Sequence, residues 1–343
     1  MMLRLLALVS IILIATTPVR AEPGFTDDAG RSVPVEGIPE RVFAAGHPAS
    51  ILLYALAPDL LTGWSRRLPD QARPFLLPSV IDLPVLGRLA GRGGTANVEV
   101  VLKADPDLVI DYGSVRPTFI SLADRVQDQT GLPVALLDGS LDEIPETFRK
   151  LGAFLHRQDR ASLLADKAEE LLARIDRIVA AEPAENRPRV YYGRGGTGLE
   201  TGRRGSINVE MLNRLGAVNV AAATGDGGLA RISLEQVVTW DPDLIITIDP
   251  NFYADIFENP QWAGLRAVRE GRVYLAPDLP FGWFDRPPSI NRLIGLEWLV
   301  HLLYPDRAEG DLVEIARTFM ATFYHVDPGR EAVARLLDRR DGS

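Results

Sequence analysis

The chain of 343 residues contains no cysteine. That absence excludes a disulfide framework, a thiolate metal site and a thiol nucleophile, and a lipid-modified N-terminal cysteine is not expected. Long apolar runs are also missing, because no stretch reaches the ~20 residues that a membrane-spanning helix needs. Basic charge is in deficit, with a formal net charge of −9. An acidic chain of this kind is a poor candidate for binding nucleic acid or anionic membrane surfaces.

The first 21 residues predict an export signal. Arg4 precedes an apolar run over residues 5–15, and Val19-Arg20-Ala21 has the small-x-small pattern of a cleavage site. A transmembrane anchor is the alternative, and the shortness of the apolar run disfavours it. We therefore expect a mature chain of residues 22–343, with a formal charge of −11 once the two signal arginines are removed. Without a lipid anchor, the expected location is a periplasm.

Two stretches of the chain are nearly equivalent. Residues 97–110 and 233–246 each place a polar residue two positions before a glutamate, Glu99 in one and Glu235 in the other. An apolar helical pattern follows, then Asp-Pro-Asp and a β-branched run. The pattern predicts a helix, a tight turn and a buried parallel strand. Its repetition predicts two similar α/β lobes, and a cleft between lobes is a usual place for a small ligand.

The predicted fold is α/β, with two Rossmann-like lobes that have parallel central sheets. The first lobe covers residues 22–140 and the second covers 182–343. Between them, residues 141–181 repeat apolar positions near the 3.6-residue period, which predicts one long connecting helix. A helix of ~20 residues is ~30 Å long and could join the lobes as a stiff strut.

The order of several motifs resembles the periplasmic substrate-binding proteins of ABC importers for iron chelates, heme and corrinoids. The resemblance covers essentially the whole mature chain. It rests on both Asp-Pro-Asp strands and on four further segments, namely Asp28-Ala29-Gly30-Arg31, Pro39-Glu40-Arg41-Val42, Trp262-x-x-Leu-x-Ala-Val-x-x-Gly-x-Val273 and Pro287-Pro288-Ser289 to Tyr304-Pro305. It implies two lobes joined by a rigid helix, a shallow ligand groove between them, and no catalytic activity.

Loops at the carboxyl ends of the strands are expected to line that groove. Aromatic side chains there can bind planar or apolar ligand faces, and arginine pairs with carboxylates or oxyanions. Three large rings in residues 281–284 would leave an exposed patch unless something covers them. The candidate ligand-binding residues are Trp283, Arg286, Phe281, Phe284, Tyr192, Arg194, His47, Trp64, Tyr112 and Tyr253, with Arg92 and Arg116 as further basic candidates.

Glu99 and Glu235 allow two interpretations. From the residues alone, an early helical glutamate stabilises the helix N-terminus by ~0.3–1 kcal/mol. The resemblance implies instead that one surface glutamate on each lobe docks onto arginines of the membrane permease. The expected partners are thus an ABC permease–ATPase complex and a small ligand, with the binding protein itself a monomer.

The identity of the ligand stays open at this level. No cofactor is expected, and four scattered histidines do not predict a bare metal site. The arginines favour an anion and the aromatics favour a large molecule, so a ferric siderophore comes first, a corrinoid or heme second, and molybdate or tungstate third. The stretch Gly193-Arg194-Gly195-Gly196 lacks the Gly-Lys-Ser/Thr of a phosphate loop and is better explained as a turn. An exported two-lobe enzyme is the competing class, although Gly-x-Ser-x-Gly and His-Glu-x-x-His are absent from the chain.

Overall fold

The structure is a computed structural model that describes residues 25–89 and 98–338. The expected export signal, residues 1–21, lies outside those ranges, as do Arg92 and the expected N-cap Asn97. The strands are β1 (Phe25–Thr26), β2 (Ser32–Val33), β3 (Val42–Ala44), β4 (Leu108–Gly113), β5 (Val134–Asp138), β6 (Arg189–Gly193), β7 (Glu200–Gly202), β8 (Val218–Asn219), β9 (Leu229–Arg231), β10 (Leu244–Thr247) and β11 (Val273–Leu275). The helices are α1 (His47–Leu56), α2 (Pro78–Ile81), α3 (Val98–Ala104), α4 (Pro117–Thr130), α5 (Ile144–Phe154), α6 (Gln158–Ala180), α7 (Glu210–Arg214), α8 (Leu234–Trp240), α9 (Pro250–Asp255), α10 (Arg266–Arg269), α11 (Arg292–Leu303), α12 (Leu312–Phe323) and α13 (Arg330–Leu337).

Each lobe is built on a parallel sheet. The first sheet has the order β3-β4-β5, and the second has the order β11-β10-β6-β8. Two small antiparallel pairs, β1-β2 and β7-β9, lie outside these sheets. The central strands β4 and β10 are β-branched runs whose residues are almost all buried, as expected for parallel strands covered on both faces. The predicted two-lobe α/β fold is confirmed.

The two repeats form the same local structure. Helix α3 ends before Asp105 and α8 ends before Asp241, and both aspartates have positive φ, 48° and 40°. Aspartate tolerates this left-handed conformation better than most residues, so it can terminate a helix and turn the chain into the next strand. The strands that follow pair in the same register, with Val42 opposite Leu108 and Val190 opposite Leu244.

The connecting segment requires a correction, because residues 141–181 form two helices and not one. Helix α5 ends at Phe154, and α6 begins at Gln158 with Arg157 as its N-cap residue. His156 in the break has a positive φ of 54°. A Cβ on Gly152 would lie 2.1 Å from the Cβ of Ala161, so glycine is what allows α6 to fold back closely over α5. Two packed helices have the same 3.6-residue period as one long helix, and periodicity alone could not separate them.

Helix α6 contacts α1 of the first lobe and α11 of the second. The C-terminal part of the chain also returns to the first lobe. The Tyr54 hydroxyl donates to the carbonyl oxygen of Tyr324, and the Arg160 guanidinium donates to the carbonyl oxygen of Thr322. One continuous apolar core therefore extends from α1 through α6 to α11 and α12.

Candidate functional site

A cavity of about 490 Å³ lies between the two lobes. The first lobe contributes the loops that follow β4 and β5, at the carboxyl edge of its sheet, where α/β proteins bind ligands. The second lobe contributes the segment around α7. Apolar atoms, including the ring of Phe119, form much of the wall, and its polar side chains are Ser114, Arg116, Asp138, Ser140, Ser206, Asn208, Glu210 and Asn213.

Three cationic or potentially cationic side chains influence one another electrostatically, since Arg66 acts on His47 and Arg286 acts on Arg66. His47 begins α1 directly after β3, and Arg66 lies in the following loop of the same lobe, while Arg286 comes from the second lobe. His47 is only 9 % exposed, and neither ring nitrogen has a hydrogen-bond partner among the described residues. Burying an imidazole without hydrogen-bond partners is costly, so a ligand that reached these nitrogens would relieve that cost.

The electrostatics of this group favour an anion. Desolvation lowers the pKa of Arg66, repulsion from the Arg286 guanidinium lowers it further, and Asp278 opposes that change. Burial lowers the pKa of His47, with an additional contribution from Arg66. Two arginines from opposite lobes that repel each other would both be stabilised by a negative ligand between them.

The aromatic rings near the groove are packed inside the protein. Phe281 is fully buried and contacts His47 edge-on, with ring centroids 6.1 Å apart, and it also packs against Trp64 and Tyr324. Trp283 is fully buried as well, and its indole nitrogen donates to the carbonyl oxygen of Leu279.

The exposed aromatic patch expected over residues 281–284 is therefore absent, because protein covers all three rings. The rings of Trp64, Tyr112, Tyr192 and Phe284 are buried too. The indole of Trp64 donates to the carbonyl oxygen of Val80, and the ring of Phe284 lies 4.4 Å from that of Tyr192. Contact of these rings with a ligand remains a prediction, but the rings are not exposed to solvent, so exposure no longer supports that prediction.

A buried polar cluster forms the second-lobe wall behind Arg286. The side chain of Asp285 is fully buried, accepts a 2.7 Å hydrogen bond from Asn208, and lies 3.2 Å from the Nε of Arg194. Burial raises the pKa of Asp285, although Arg194 and Asn208 act in the opposite direction. Arg194 also pairs with Glu200 at 2.7 Å. This predicted ligand-binding arginine is thus already neutralised by carboxylates of its own lobe.

Arg292 ties the two lobes together beneath the cavity. Its guanidinium is fully buried, pairs with Glu210 at 2.5 Å, and donates to the carbonyl oxygen of Gly139 in the first lobe. Glu210 also accepts a hydrogen bond from the backbone nitrogen of Leu141 at 3.0 Å. These contacts join a fully buried guanidinium of the second lobe to a carboxylate and to backbone atoms at the end of the first lobe, so they favour one arrangement of the lobes.

The remaining predicted residues lie elsewhere. Tyr253 is partly exposed and lines a separate cavity of about 330 Å³ together with Trp298 and His301, so the structure does not bring it to the interlobe groove. Glu99 and Glu235 are both exposed, on α3 and α8. Ser233 caps α8 as expected, and its capping-box partner is Gln236. A hydrogen bond from Ser233 lowers the pKa of Glu235.

Neither Arg66 nor Asn208 was selected from the sequence as a site residue. The spacing of Arg66 behind a predicted strand end was an available signal. Asn208 had none, because its role comes from contact with Asp285, far away in the chain.

Over residues 25–89 and 98–338, no helix combines the length and apolar character needed to cross a bilayer. Over the same residues, His, Asp and Glu side chains form no group of three or more able to hold a metal ion.

Comparisons with known proteins agree with this architecture. The chain is 26 % identical over 302 residues to the molybdate-binding protein MolA of Haemophilus influenzae, covering 80 % of this chain and 82 % of that one. It is 25 % identical over 212 residues to the Fe(3+)-citrate-binding protein YfmC of Bacillus subtilis, covering 60 % and 65 %. Among solved structures, an ABC transporter solute binding protein from Sulfurospirillum deleyianum superposes with a TM-score of 0.84 at 29 % identity, over 92 % of this chain and 98 % of that one. The family model described as periplasmic binding protein matches residues 79–279. This chain, with its two parallel-sheet lobes and interlobe groove, belongs to the periplasmic binding protein family of ABC importers.

Proposed function

We propose that this protein captures an anionic ligand between its lobes and delivers it to the permease of an ABC importer. The observation that carries the proposal is the electrostatic interaction among Arg66, His47 and Arg286, which come from both lobes and in which the two arginines repel each other. Anions bound by arginine and by a buried imidazole gain charge-assisted hydrogen bonds, which are about twice as strong as neutral ones. The protein acts by binding alone, so the ligand is expected to be recovered chemically unchanged.

A compact oxyanion, molybdate or tungstate, is our first candidate for the ligand. The aromatic rings that favoured a heme or a corrinoid are covered by protein, so the case for a large planar ligand loses its support, whereas the cationic group remains. The relative MolA, whose alignment covers most of both chains, is named as a molybdate-binding protein. A tetrahedral oxyanion fits a small cluster of donors that approach from two lobes.

A ferric chelate is the second candidate, and the interlobe cavity favours it. Its volume of about 490 Å³ falls within the range typical of sites for organic ligands and exceeds what four oxygen atoms require. Hydroxyl and amide side chains line it beside Phe119, which suits the organic part of a siderophore or of ferric citrate.

Calorimetric titration of the purified protein tests both candidates. The panel contains molybdate, tungstate, ferric citrate, a ferric catecholate, hemin and a corrinoid. Arg66→Ala and Arg286→Ala are each expected to weaken binding of the true ligand by about 10- to 100-fold, because each removes a charged hydrogen bond. Arg335→Ala removes an exposed arginine on α13 and is the matched control.

The panel separates the two candidates because the oxyanions are small for their charge and the iron chelates are large. Tight binding of the oxyanions alone supports the first, and tight binding of an iron chelate alone supports the second. If neither arginine substitution changes the affinity for the ligand that binds, the proposed anion site is wrong. Silence of the folded, ligand-free protein across the panel would contradict both ligand proposals.

Delivery to the permease is proposed to use Glu99 and Glu235. Both are exposed at equivalent positions of the two lobes, as a partner with two equivalent docking sites requires. The double variant Glu99→Ala with Glu235→Ala should leave ligand affinity intact and abolish uptake in cells. Unchanged uptake by this variant would refute the docking role. We also propose that the protein is a monomer in the periplasm, exported by residues 1–21, which cell fractionation and N-terminal sequencing would test.

A further inference from the structure

Two exposed apolar side chains occupy equivalent positions in the two repeats. Leu102 on α3 is 49 % exposed and Val238 on α8 is 51 % exposed. Single exposed apolar residues are ordinary on protein surfaces and need no explanation. These two differ because the same position of the repeat carries one in each lobe. The other large apolar side chains found exposed among the described residues are Ile38, Val85, Leu163, Val218 and Phe257.

The equivalence extends to the neighbouring positions. Val101 and Val237, directly before them, are fully buried and hold each helix against its lobe. The side chains at positions 102 and 238 therefore point away from the core toward solvent. Polar residues usually occupy that face of an amphipathic helix.

Each apolar residue also lies one helical turn after the docking glutamate of its lobe. Residues three apart on a helix lie side by side on one face, so Glu99 is next to Leu102 and Glu235 is next to Val238. Each lobe thus presents an acidic group beside an apolar one.

We infer that Leu102 and Val238 are the apolar anchors of the surface that docks on the permease. The partner that fits has two equivalent sites, each with a cationic side chain beside an apolar pocket. A second copy of this chain fits poorly, because it would bring glutamates against glutamates in a protein of net charge −9. The inference rests on the proposed docking function and adds the groups that supply the desolvated centre of each contact, where binding energy concentrates.

Competition binding on spheroplasts tests this inference without a purified permease. Spheroplasts of the source cells, lacking this gene, expose the periplasmic face of the inner membrane. Fluorescently labelled wild-type protein is bound to them and displaced by unlabelled variants. Leu102→Gln with Val238→Gln removes both anchors and keeps good helix formers. Leu163→Gln with Phe257→Gln removes two equally exposed apolar side chains and is the matched control.

The anchor variant should compete at least about tenfold less well than the wild type, while the control competes equally. Ligand affinity measured in solution should be the same for all of them, and circular dichroism should report the same fold. If the anchor variant competes like the wild type while Glu99→Gln with Glu235→Gln does not, the apolar anchors are refuted and the docking glutamates stand. If saturable binding of the wild type is absent, or neither pair of substitutions weakens it, the docking function and this inference both fall.

Discussion

The two lobes share one framework and differ in the loops that the framework carries. In both, an aspartate of Asp-Pro-Asp accepts a hydrogen bond from the backbone at the start of a neighbouring parallel strand, Asp107 from Arg41 and Asp243 from Arg189. In both, that arginine side chain donates to carbonyl oxygens at the end of the helix.

The loops that follow β3 and β6 differ in whether their polar side chain is paired within the protein. After β3 the chain presents His47, whose ring nitrogens are unpartnered among the described residues. After β6 it presents Arg194, which is held by Glu200 and the buried Asp285. The comparison teaches that a repeated framework sets the architecture, while the chemistry of the groove is asymmetric. The first lobe offers the unpartnered His47, and the second pairs Arg194 with its own carboxylates.

The largest expected effect comes from breaking the second-lobe pair. Arg194→Met would leave Asp285 buried without its cation and should destabilise the protein by about 3–5 kcal/mol. Adding Asp285→Asn removes the stranded charge and should restore much of that loss. Urea unfolding of the two variants provides the measurement. A loss below about 1 kcal/mol for the single variant would mean that Arg194 is not a structural partner.

The framework itself can be tested by comparing Asp107→Ala with Asp243→Ala. Each removes charge-assisted hydrogen bonds to a strand start, with an expected cost of about 2 kcal/mol. The second variant should cost more, because Asp243 also pairs with Arg266 at 2.7 Å. Thermal and urea unfolding would measure the difference. A cost at Asp107 equal to or larger than that at Asp243 would contradict the stabilising contribution of the Asp243–Arg266 pair.

The free polar group of the first lobe should matter for binding and not for stability. His47→Gln is expected to weaken ligand binding by about tenfold, since one charge-assisted hydrogen bond is lost. Burial and Arg66 lower the pKa of His47 in the free protein, and a bound anion would raise it again. The complex then takes up a proton, so wild-type affinity should rise as the pH falls from about 8 to 5, and the variant should lose that dependence. Titration calorimetry across this range tests both statements.

The smallest effect concerns a position at which the lobes differ inside the sheet. Asp111 in β4 is equivalent in register to Thr247 in β10, and burial raises the pKa of Asp111 to about 6 from its ordinary 3.8. At a pH below its ordinary pKa, the Asp111 carboxyl group is neutral in both the folded and the unfolded state. Its burial then carries no penalty for desolvating a charge. As the pH rises, the unfolded chain ionises first, and the cost is complete above about 6.

Asp111→Thr, which transfers the residue of the second lobe, should therefore stabilise the protein by about 1–2 kcal/mol near pH 8. The gain should disappear near pH 3. Urea unfolding at both pH values is the measurement, and a gain that does not depend on pH would exclude the charge of Asp111 as its cause.

Local patterns predicted much of this molecule. The Asp-Pro-Asp turns, the parallel strands β4 and β10 and the cap at Ser233 follow from a few neighbouring residues, and all three are found. The prediction for residues 281–284 was wrong about exposure, because Phe281 is covered by Trp64 and Tyr324, more than 200 and about 40 positions away. The connecting helix was wrong in its continuity, because the break depends on how closely Gly152 approaches Ala161.

The sequence by itself determined the two-lobe α/β architecture, since the alternation of apolar and polar residues within each short segment encodes its helices and strands. It also determined the overall acidity and the outward glutamate of each repeat. The tertiary structure alone decided which polar side chains of the groove are free. Arg194 and His47 follow equivalent strands, but Arg194 is neutralised by the distant Asp285 together with Glu200, whereas the ring nitrogens of His47 have no hydrogen-bond partner among the described residues. Pairing of charges depends on partners that folding brings together from remote parts of the chain, and no local pattern contains that information.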